Sequence, residues 1–244
     1  MRGAAKCNSP CRCCENTFPN TALKTLDLYQ NLGHGSLTTD STNNKERTRL
    51  VPRVGIVSDT HGVLSRELLR ALEGCDFIIH AGDIGDASIL KRLETVAPVT
   101  AVLGNNDYDL FAPDVQRPDV RSPAAQHPAA QRPAVRRYAH PVIDGVRFLV
   151  AHRPNEVRLA GGRMGDLAPG DPLPDVCVHG HTHIPEIKTK GEAAPAKLIA
   201  CPGSASFPRG GYPETIAMLE IEEGHVLAAR IETLYGDVLF GMDD

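Results

Sequence analysis

The sequence lacks long apolar runs and lacks any excess of positive charge. No window approaches the roughly 18 consecutive apolar residues that a membrane-spanning helix requires, and the first residues show no apolar core of a secretory signal. The formal net charge of the 244 residues is -4, so electrostatics give no reason to expect binding to nucleic acid or to a membrane. The sequence predicts a cytoplasmic protein without such partners, and it leaves open whether the protein forms a homo-oligomer.

The chain also lacks a complete cysteine pattern for a structural zinc site. Four of the seven cysteines lie within the first 14 residues. Two of these, Cys11 and Cys14, have the spacing of a metal-binding pair, but no second pair follows. We interpret the four as free thiols of a tail, with a structural metal as the weaker alternative. The other three lie in or beside apolar runs and are predicted to be core thiols: Cys75, Cys177 and Cys201.

Two stretches have no pattern of regular secondary structure. Residues 1–50 contain scattered Asn, Thr, Ser and Gly without sustained periodicity, which predicts a disordered leader. Residues 112–137 repeat a proline-spaced unit, as in Gln126-His127-Pro128-Ala129-Ala130, which predicts an extended loop inserted into the fold. A docking arm or a lid is the alternative for this loop. The remaining chain, residues 51–244, is predicted to be a single domain around the insertion.

The segment between the leader and the insertion alternates strand and helix patterns. Apolar runs at residues 54–57, 77–79 and 99–103 have the length and composition of buried strands. A helix with leucines at helical spacing follows the first run, with Ser65 as its N-cap and Gly74 as its stop. A second helix is predicted at residues 87–93. This βαβαβ order favours a parallel sheet.

After the insertion, strand patterns dominate. They lie at residues 147–151, 176–178, 198–201, 215–221 and 226–231, and Glu223-Gly224 is typical of a hairpin turn. We expect these strands to form a second, largely antiparallel sheet that packs on the first. The predicted fold class is therefore α/β (α+β), with two packed mixed β-sheets forming a sandwich flanked by helices.

A set of carboxylate, amide and imidazole side chains follows the predicted strands. Open α/β sheets form their sites beyond the carboxyl ends of the strands, where loops distant in sequence converge. His181 and His183 have strand spacing and point the same way if the backbone is extended. We interpret the set as a two-metal hydrolytic centre. Its members are Asp59, His61, Asp83, Asn105, His152, His181 and His183.

The motifs that contain these residues resemble a known family. They are Ser58-Asp59-Thr60-His61-Gly62, Gly82-Asp83, Gly104-Asn105-Asn106-Asp107, Ala151-His152 and Gly180-His181-Thr182-His183. In this order they are similar to the signature of the calcineurin-like metallophosphoesterases, in particular the small bacterial and archaeal phosphodiesterases. The resemblance extends from about residue 54 to residue 231 and leaves out the leader and the insertion.

The resemblance implies which residues hold each metal. One ion would be bound by Asp59, His61, Asp83 and His183. The second would be bound by Asp83, Asn105, His152 and His181, so that Asp83 bridges the two. Manganese is the first choice, and nickel, zinc, iron or cobalt also suit mixed imidazole, carboxylate and amide ligands. The implied activity is hydrolysis of a small phosphate ester, most of all a phosphodiester, by a metal-bridging hydroxide.

Three residues near the ligands bear on catalysis. Many relatives place a histidine directly after the ligand asparagine, where it can protonate the leaving oxygen, but this chain has Asn106. We therefore predict a preference for acidic leaving groups, or protonation through water or Asp107. Arg153 follows His152 where the family usually has glycine. It is interpreted as a guanidinium that reaches the substrate phosphate, with a surface arginine as the alternative.

A non-catalytic scaffold of the same fold that binds partner proteins is the alternative function. Retention of every ligand favours the enzyme, because buried charged side chains without their metal destabilise a fold.

Deletion of residues 1–49 is expected to leave the rest of the chain folded, because the first predicted strand begins after them. Soluble expression and circular dichroism of the shortened protein measure this. Loss of soluble folding would contradict the prediction. A control deletion of residues 1–57, which also removes the predicted first strand, is expected to abolish folding.

Overall fold

The computed structural model describes residues 51–107, 135–158 and 164–243. The predicted leader at residues 1–50, its four cysteines and most of the proline-rich insertion lie outside the described residues. The three predicted core thiols lie within them, and Cys75, Cys177 and Cys201 are all buried and free.

The first part of the domain has the predicted βαβαβ order. Its elements are β1 (Arg53–Val57), α1 (Arg66–Ala71), β2 (Phe77–His80), α2 (Ala87–Leu93) and β3 (Val99–Ala101). The three strands pair in parallel, with β2 between β1 and β3, as predicted. Helix α1 begins where expected, because the Ser65 hydroxyl accepts a hydrogen bond of 3.0 Å from the Leu68 N–H. Neither helix of the described residues is long and apolar enough to cross a membrane.

Three C-terminal strands complete this first sheet. They are β10 (Thr215–Glu222), β11 (His225–Thr233) and β12 (Val238–Asp243), and the strand order is β12-β11-β10-β1-β2-β3. Strand β10 pairs antiparallel with β1, with Leu219 opposite Val54. The expectation that residues 215–221 and 226–231 belong to the second sheet was therefore wrong. The apolar pattern of these strands indicates that they are buried. A buried strand can pair with the edge strand of either sheet, so the pattern does not identify which sheet it joins.

The second sheet is built from the middle of the chain. Its strands are β4 (Tyr138–Ala139), β5 (Val142–Ile143), β6 (Val146–Ala151), β7 (Val176–Val178), β8 (Pro185–Thr189) and β9 (Leu198–Pro202), and a short 3-10 turn, Lys190–Glu192, follows β8. The order is β4-β6-β7-β9-β8, with β5 paired to β6. The central strands β6, β7 and β9 are parallel. The other three pairings, β4 with β6, β5 with β6 and β8 with β9, are antiparallel. The predicted antiparallel pairing is thus found towards the edges of the sheet but not between its central strands, whose mostly apolar sequences are typical of buried parallel strands.

The two sheets pack face to face around one apolar core. Val54 and Ile56 of β1 and Ala217 of β10 meet Phe148 and Val178 of the second sheet there, all almost fully buried. Both helices pack on the outer face of the first sheet. The outer face of the second sheet is covered by loop residues such as Val157 and Met164 rather than by an α-helix of the described residues. This sandwich of two mixed sheets confirms the predicted fold class, with a helical layer on one side.

Candidate metal centre

The loops after β1 and β2 lie against each other and carry the first ligands. The Asp59 N–H donates to the Gly82 carbonyl at 3.0 Å, and the His61 N–H donates to the Asp83 carbonyl at 2.9 Å. The approach is close enough that a Cβ atom on Gly85 would lie 2.3 Å from the Gly62 nitrogen. These contacts bring Asp59 and Asp83 to the same edge of the first sheet.

Several candidate ligands have an unusual backbone conformation. Of the seven non-glycine residues with positive φ in the described part of the chain, five are predicted ligands. They are Asp59 at 54°, His61 at 45°, Asp83 at 53°, His181 at 71° and His183 at 59°. Such conformations are uncommon for residues with a Cβ and cluster at functional sites, where the surrounding structure enforces them. The strain supports a functional role for this set.

One group of ligand atoms surrounds Asp59. Its Oδ1 atom lies 3.2 Å from the His183 Nε2 atom and 3.9 Å from the His61 Nε2 atom. The two imidazole Nε2 atoms lie 3.3 Å apart. Ligands about 2.1 Å from a tetrahedral ion lie roughly 3.4 Å from one another. The spacing of these three side chains therefore suits a single cation.

A second group surrounds Asn105. Its Oδ1 atom lies 3.2 Å from the His152 Nε2 atom and 2.9 Å from the His181 Nδ1 atom. Asp83 lies between the two groups, because its Oδ2 atom is 3.8 Å from the His61 Nε2 atom and 3.5 Å from the His152 Nε2 atom. The structure thus brings all seven sequence-predicted ligands together.

The hydrogen bonds of two of these histidines fix which ring nitrogen carries the proton in the neutral ring. The His152 Nδ1 atom lies 2.8 Å from the Ala81 carbonyl, and the His183 Nδ1 atom lies 2.6 Å from the Phe207 carbonyl. A carbonyl only accepts, so each Nδ1 must donate its proton. In the neutral ring the Nε2 atom then presents a lone pair towards a carboxylate oxygen. A lone pair and a carboxylate oxygen that face each other repel, and a cation between them removes this repulsion. Both histidines therefore have an arrangement that suits a bound cation.

The pKa values of Asp59 and Asp83 are shifted in opposite directions. Burial raises the pKa of Asp59, although the charge of His152 and the hydroxyl of Ser58 oppose the shift. Its Oδ1 atom is buried and has no hydrogen-bond partner among the described residues. Burial also pushes the pKa of Asp83 upward, but a hydrogen bond from the doubly protonated form of His152 and another from the Asn106 backbone bring it below its ordinary value. A bound cation would stabilise the ionised form of Asp59 at its open oxygen.

His80 links the loop after β1 to the loop after β2 through buried hydrogen bonds. The Gly82 N–H donates to its Nδ1 atom at 3.2 Å, so its Nε2 atom carries the proton and donates to the Thr60 hydroxyl at 3.0 Å. That hydroxyl in turn donates to the Ile84 carbonyl at 3.0 Å. Burial lowers the pKa of His80 to about 3, which keeps the ring neutral. His80 therefore positions the backbone around Asp83 and is not itself a ligand.

Two supporting residues were missed as site residues by the sequence analysis. The Ser204 hydroxyl donates to the Asp59 carbonyl at 2.8 Å and accepts from the Phe207 N–H at 2.8 Å. The Phe207 ring packs edge-on against His61 at 5.5 Å between centroids, and about half of this residue is exposed. The turn Pro202-Gly203-Ser204 is the only signal in the sequence that points to this contact.

The three residues proposed for catalysis occupy different positions. The Asn106 N–H and side-chain amide donate to the two carboxylate oxygens of Asp83 at 2.9 and 2.8 Å. Asp107 is fully buried, and its carboxylate accepts from the N–H groups of Ile84, Gly85 and Gly104. Proton donation by Asp107 stays a prediction, and these three bonds favour a role in positioning the loops. Arg153 is exposed and lines a cavity beside the second group of ligands.

The chain belongs to a family of metal-dependent hydrolases. Two mixed sheets that carry buried carboxylates and imidazoles at their strand ends are the framework of this class. Residues 53–224 match the calcineurin-like phosphoesterase superfamily domain, which places the chain in that superfamily. The resemblance drawn from the five motifs is thereby confirmed.

Known proteins of similar sequence carry the same description. The chain is 29% identical over 175 residues to a protein described as a probable metallophosphoesterase of Methanocaldococcus jannaschii, a match that covers 70% of this chain and 76% of the relative. It is 36% identical over 64 residues to the phosphodiesterase YfcE of Escherichia coli, which covers 26% of this chain and 33% of YfcE.

Solved structures share the fold. The structure of YfcE superposes with a TM-score of 0.51 at 22% identity and covers 78% of this chain and 98% of YfcE. Vacuolar Protein Sorting 29 of Cryptosporidium parvum gives a TM-score of 0.55 at 17% identity and covers 79% of this chain and 98% of that protein. At these identities the similarity concerns the fold alone.

Substitution Asp107→Ala is expected to lower the free energy of unfolding by about 3 kcal/mol or more, because two buried N–H groups and one partly buried N–H group lose their acceptor. Denaturant unfolding of the protein in EDTA measures this without any contribution from metal. The exposed Glu73→Ala on the turn after α1 is the control and should change stability by less than about 0.5 kcal/mol. Unchanged stability combined with lost turnover would instead support proton donation by Asp107.

Proposed function

We propose that this protein is a phosphodiesterase that hydrolyses small phosphate esters at a centre of two divalent metal ions. The observation that carries the proposal is the position of Asp83, whose Oδ2 atom lies within 4 Å of both His61 and His152. A carboxylate shared between two groups of imidazoles is what a bridging ligand requires. The open oxygen of Asp59 supports a cation on the first side.

The ligand atoms divide into two sets. For the first ion we assign Asp59 Oδ1, His61 Nε2, His183 Nε2 and the Asp83 carboxylate. For the second ion we assign Asn105 Oδ1, His152 Nε2, His181 Nδ1 and the same carboxylate. When bound, the two ions would supply Lewis acidity to a phosphate oxygen and a hydroxide nucleophile near neutral pH. Manganese is our first choice because of the resemblance to the family, and the mixture of ligand types would also suit nickel, zinc, iron or cobalt.

The charges of the chain match this chemistry. Asp59 and Asp83 contribute two negative charges, while Asn105 and the four neutral imidazoles contribute none. Two dications and one hydroxide then leave a residual positive charge, which attracts a phosphate anion. The hydrogen bonds from Asn106 hold the Asp83 carboxylate in place, so that it need not reorganise during the reaction.

A diester is favoured over a monoester by the surroundings of the site. Asn106 stands where a general acid would help a poor leaving group depart, and an amide does not donate a proton at neutral pH. The exposed side chains of Phe207, Ile184 and Val63 offer apolar surface close to His61 and His183 for a second substituent on the phosphate. The phosphodiesterase name of YfcE agrees with this substrate class. The cytoplasmic location and any homo-oligomer stay predictions.

A partner-binding scaffold is the second candidate, because the fold is shared with Vacuolar Protein Sorting 29. Metal binding alone does not distinguish the two functions, since a scaffold can retain an ion for stability. Turnover of a phosphodiester does distinguish them.

Full-length protein is expected to hydrolyse bis-p-nitrophenyl phosphate only when Mn²⁺ is present, and EDTA should abolish the release of p-nitrophenol. Substitution Asp83→Asn should lower kcat by about 100-fold or more, because it weakens the shared ligand. The control Asp86→Asn removes a charge from the same loop, where Asn still caps α2, and should retain activity. Absence of metal-dependent turnover would favour the scaffold.

Substitution Asn106→His is expected to speed hydrolysis of methyl phenyl phosphate more than that of methyl p-nitrophenyl phosphate, because only the poorer leaving group needs a proton. The rate with methyl p-nitrophenyl phosphate divided by the rate with methyl phenyl phosphate should fall by about 10-fold or more, given the size of general acid catalysis. The control Asn106→Ala removes the side-chain hydrogen bond to Asp83 without adding an acid. An unchanged ratio in Asn106→His would contradict the prediction.

A further inference from the structure

A cavity of about 250 Å³ opens beside the second group of ligands. It shares Asn105 and His152 with the metal centre and is otherwise lined by Leu103, Gly104, Arg137, Arg153 and Glu156. Pockets that enclose a whole small ligand are usually roughly 300–1,000 Å³. This cavity is therefore large enough for one group of a substrate whose reacting phosphate lies at the metals.

Glu156 holds Arg153 at the edge of this cavity. The Glu156 N–H donates to the Arg153 carbonyl at 3.0 Å, and the Arg153 N–H donates back to the Glu156 Oε2 atom at 3.3 Å. This reciprocal pair closes a tight turn directly after the ligand His152. The turn fixes the backbone from which the Arg153 side chain extends.

Glu156 also orients the second arginine. Its Oε1 atom accepts from Arg137 Nε at 3.0 Å and from Arg137 Nη2, and the Arg137 guanidinium lies over the Tyr138 ring at 5.4 Å. Glu156 is almost fully buried, and a buried carboxylate needs partners. The Arg137 guanidinium and the Arg153 N–H compensate its charge. Among the described residues that line the cavity, two arginines and one glutamate leave one net positive charge.

The cavity is continuous with the metal centre. Arg153 lines the same cavity as Asn105 and His152, which are two of the proposed ligands of the second ion. An anion bound by Arg153 in this cavity would therefore lie close to a phosphate at the metals.

We propose that this cavity is a second anion site, which selects phosphodiesters that carry an additional phosphate group on the arm directed towards Arg153. Guanidinium groups bind phosphate with paired, charge-assisted hydrogen bonds, and a phosphate is compact enough for a cavity of this size. The proposal rests on the proposed function, because it takes the reacting phosphate to lie at the metal centre.

Equilibrium binding tests the site without requiring turnover. Calorimetry on the Mn²⁺-loaded full-length protein compares thymidine 3′,5′-bisphosphate with thymidine 5′-monophosphate. The bisphosphate should bind about 10-fold more tightly, given the strength of a charge-assisted pair, which exceeds the twofold gain that a second phosphate gives by statistics alone. Arg153→Gln should reduce the preference to that twofold level, and Arg153→Lys should retain part of it. The control Arg66→Gln, at an exposed position of α1, should leave it unchanged.

Kinetics separates this proposal from the proposed function. The substrates are thymidine 5′-(p-nitrophenyl phosphate) with and without a 3′-phosphate, which share the same scissile bond and leaving group. The 3′-phosphate should raise kcat/KM about 10-fold in the natural protein, through KM, and the difference should disappear in Arg153→Gln. Equal efficiency with both substrates, together with equal binding of the two nucleotides, would overturn the second anion site and leave the phosphodiesterase intact. A binding preference for the bisphosphate without any turnover would instead overturn the phosphodiesterase function and leave the second anion site intact. Failure of both nucleotides to bind would also overturn the second anion site.

Discussion

The arrangement of the site depends on Asp83 more than on any other residue. Its backbone carbonyl accepts from His61 and ties the first two loops together, while its carboxylate lies between the two groups of imidazoles. Asn106 donates to both carboxylate oxygens and fixes their direction. Asp83 thus sets the relative position of side chains that come from four separate loops, and its positive φ shows that the fold forces the backbone to place it there.

Close backbone contact is what makes this position available. A Cβ atom on Gly104 would lie 2.0 Å from the Asp83 Oδ1 atom, and one on Gly180 would lie 1.8 Å from the Ser58 hydroxyl. Neither residue can be larger without displacing a ligand or its support. Asp107 and His80 then bind the same loops through buried backbone groups. The ligands are therefore held by the loop framework itself, which limits how far they can move when an ion or a substrate binds.

The sequence predicted which side chains meet at the site better than it predicted the sheets. The ligands follow strands in ordered motifs, and the carboxyl ends of parallel strands converge, so the order of the motifs was enough to place Asp59 and Asp83 together. Strand partners could not be assigned in this way. The apolar pattern of β10 or β6 indicates that the strand is buried but does not indicate which strand it pairs with. Strands β4 and β5 are two residues long, and β8 carries Glu186 and Lys188, so none gave a recognisable pattern. The cavity beside Asn105 was also missed, because Arg137 and Glu156 lie 19 residues apart and belong to no motif.

Each sheet contains three parallel strands, β1-β2-β3 in one and β6-β7-β9 in the other, and each contributes ligands from its own carboxyl edge. Neither half of the fold holds a complete site. With the ligands that we propose, an ion binds tightly only to the docked pair of sheets, so its binding free energy is added to the association of the two halves. By thermodynamic linkage, any substitution in the interface core that weakens docking, even far from Asp83, must weaken the affinity for the ion as well.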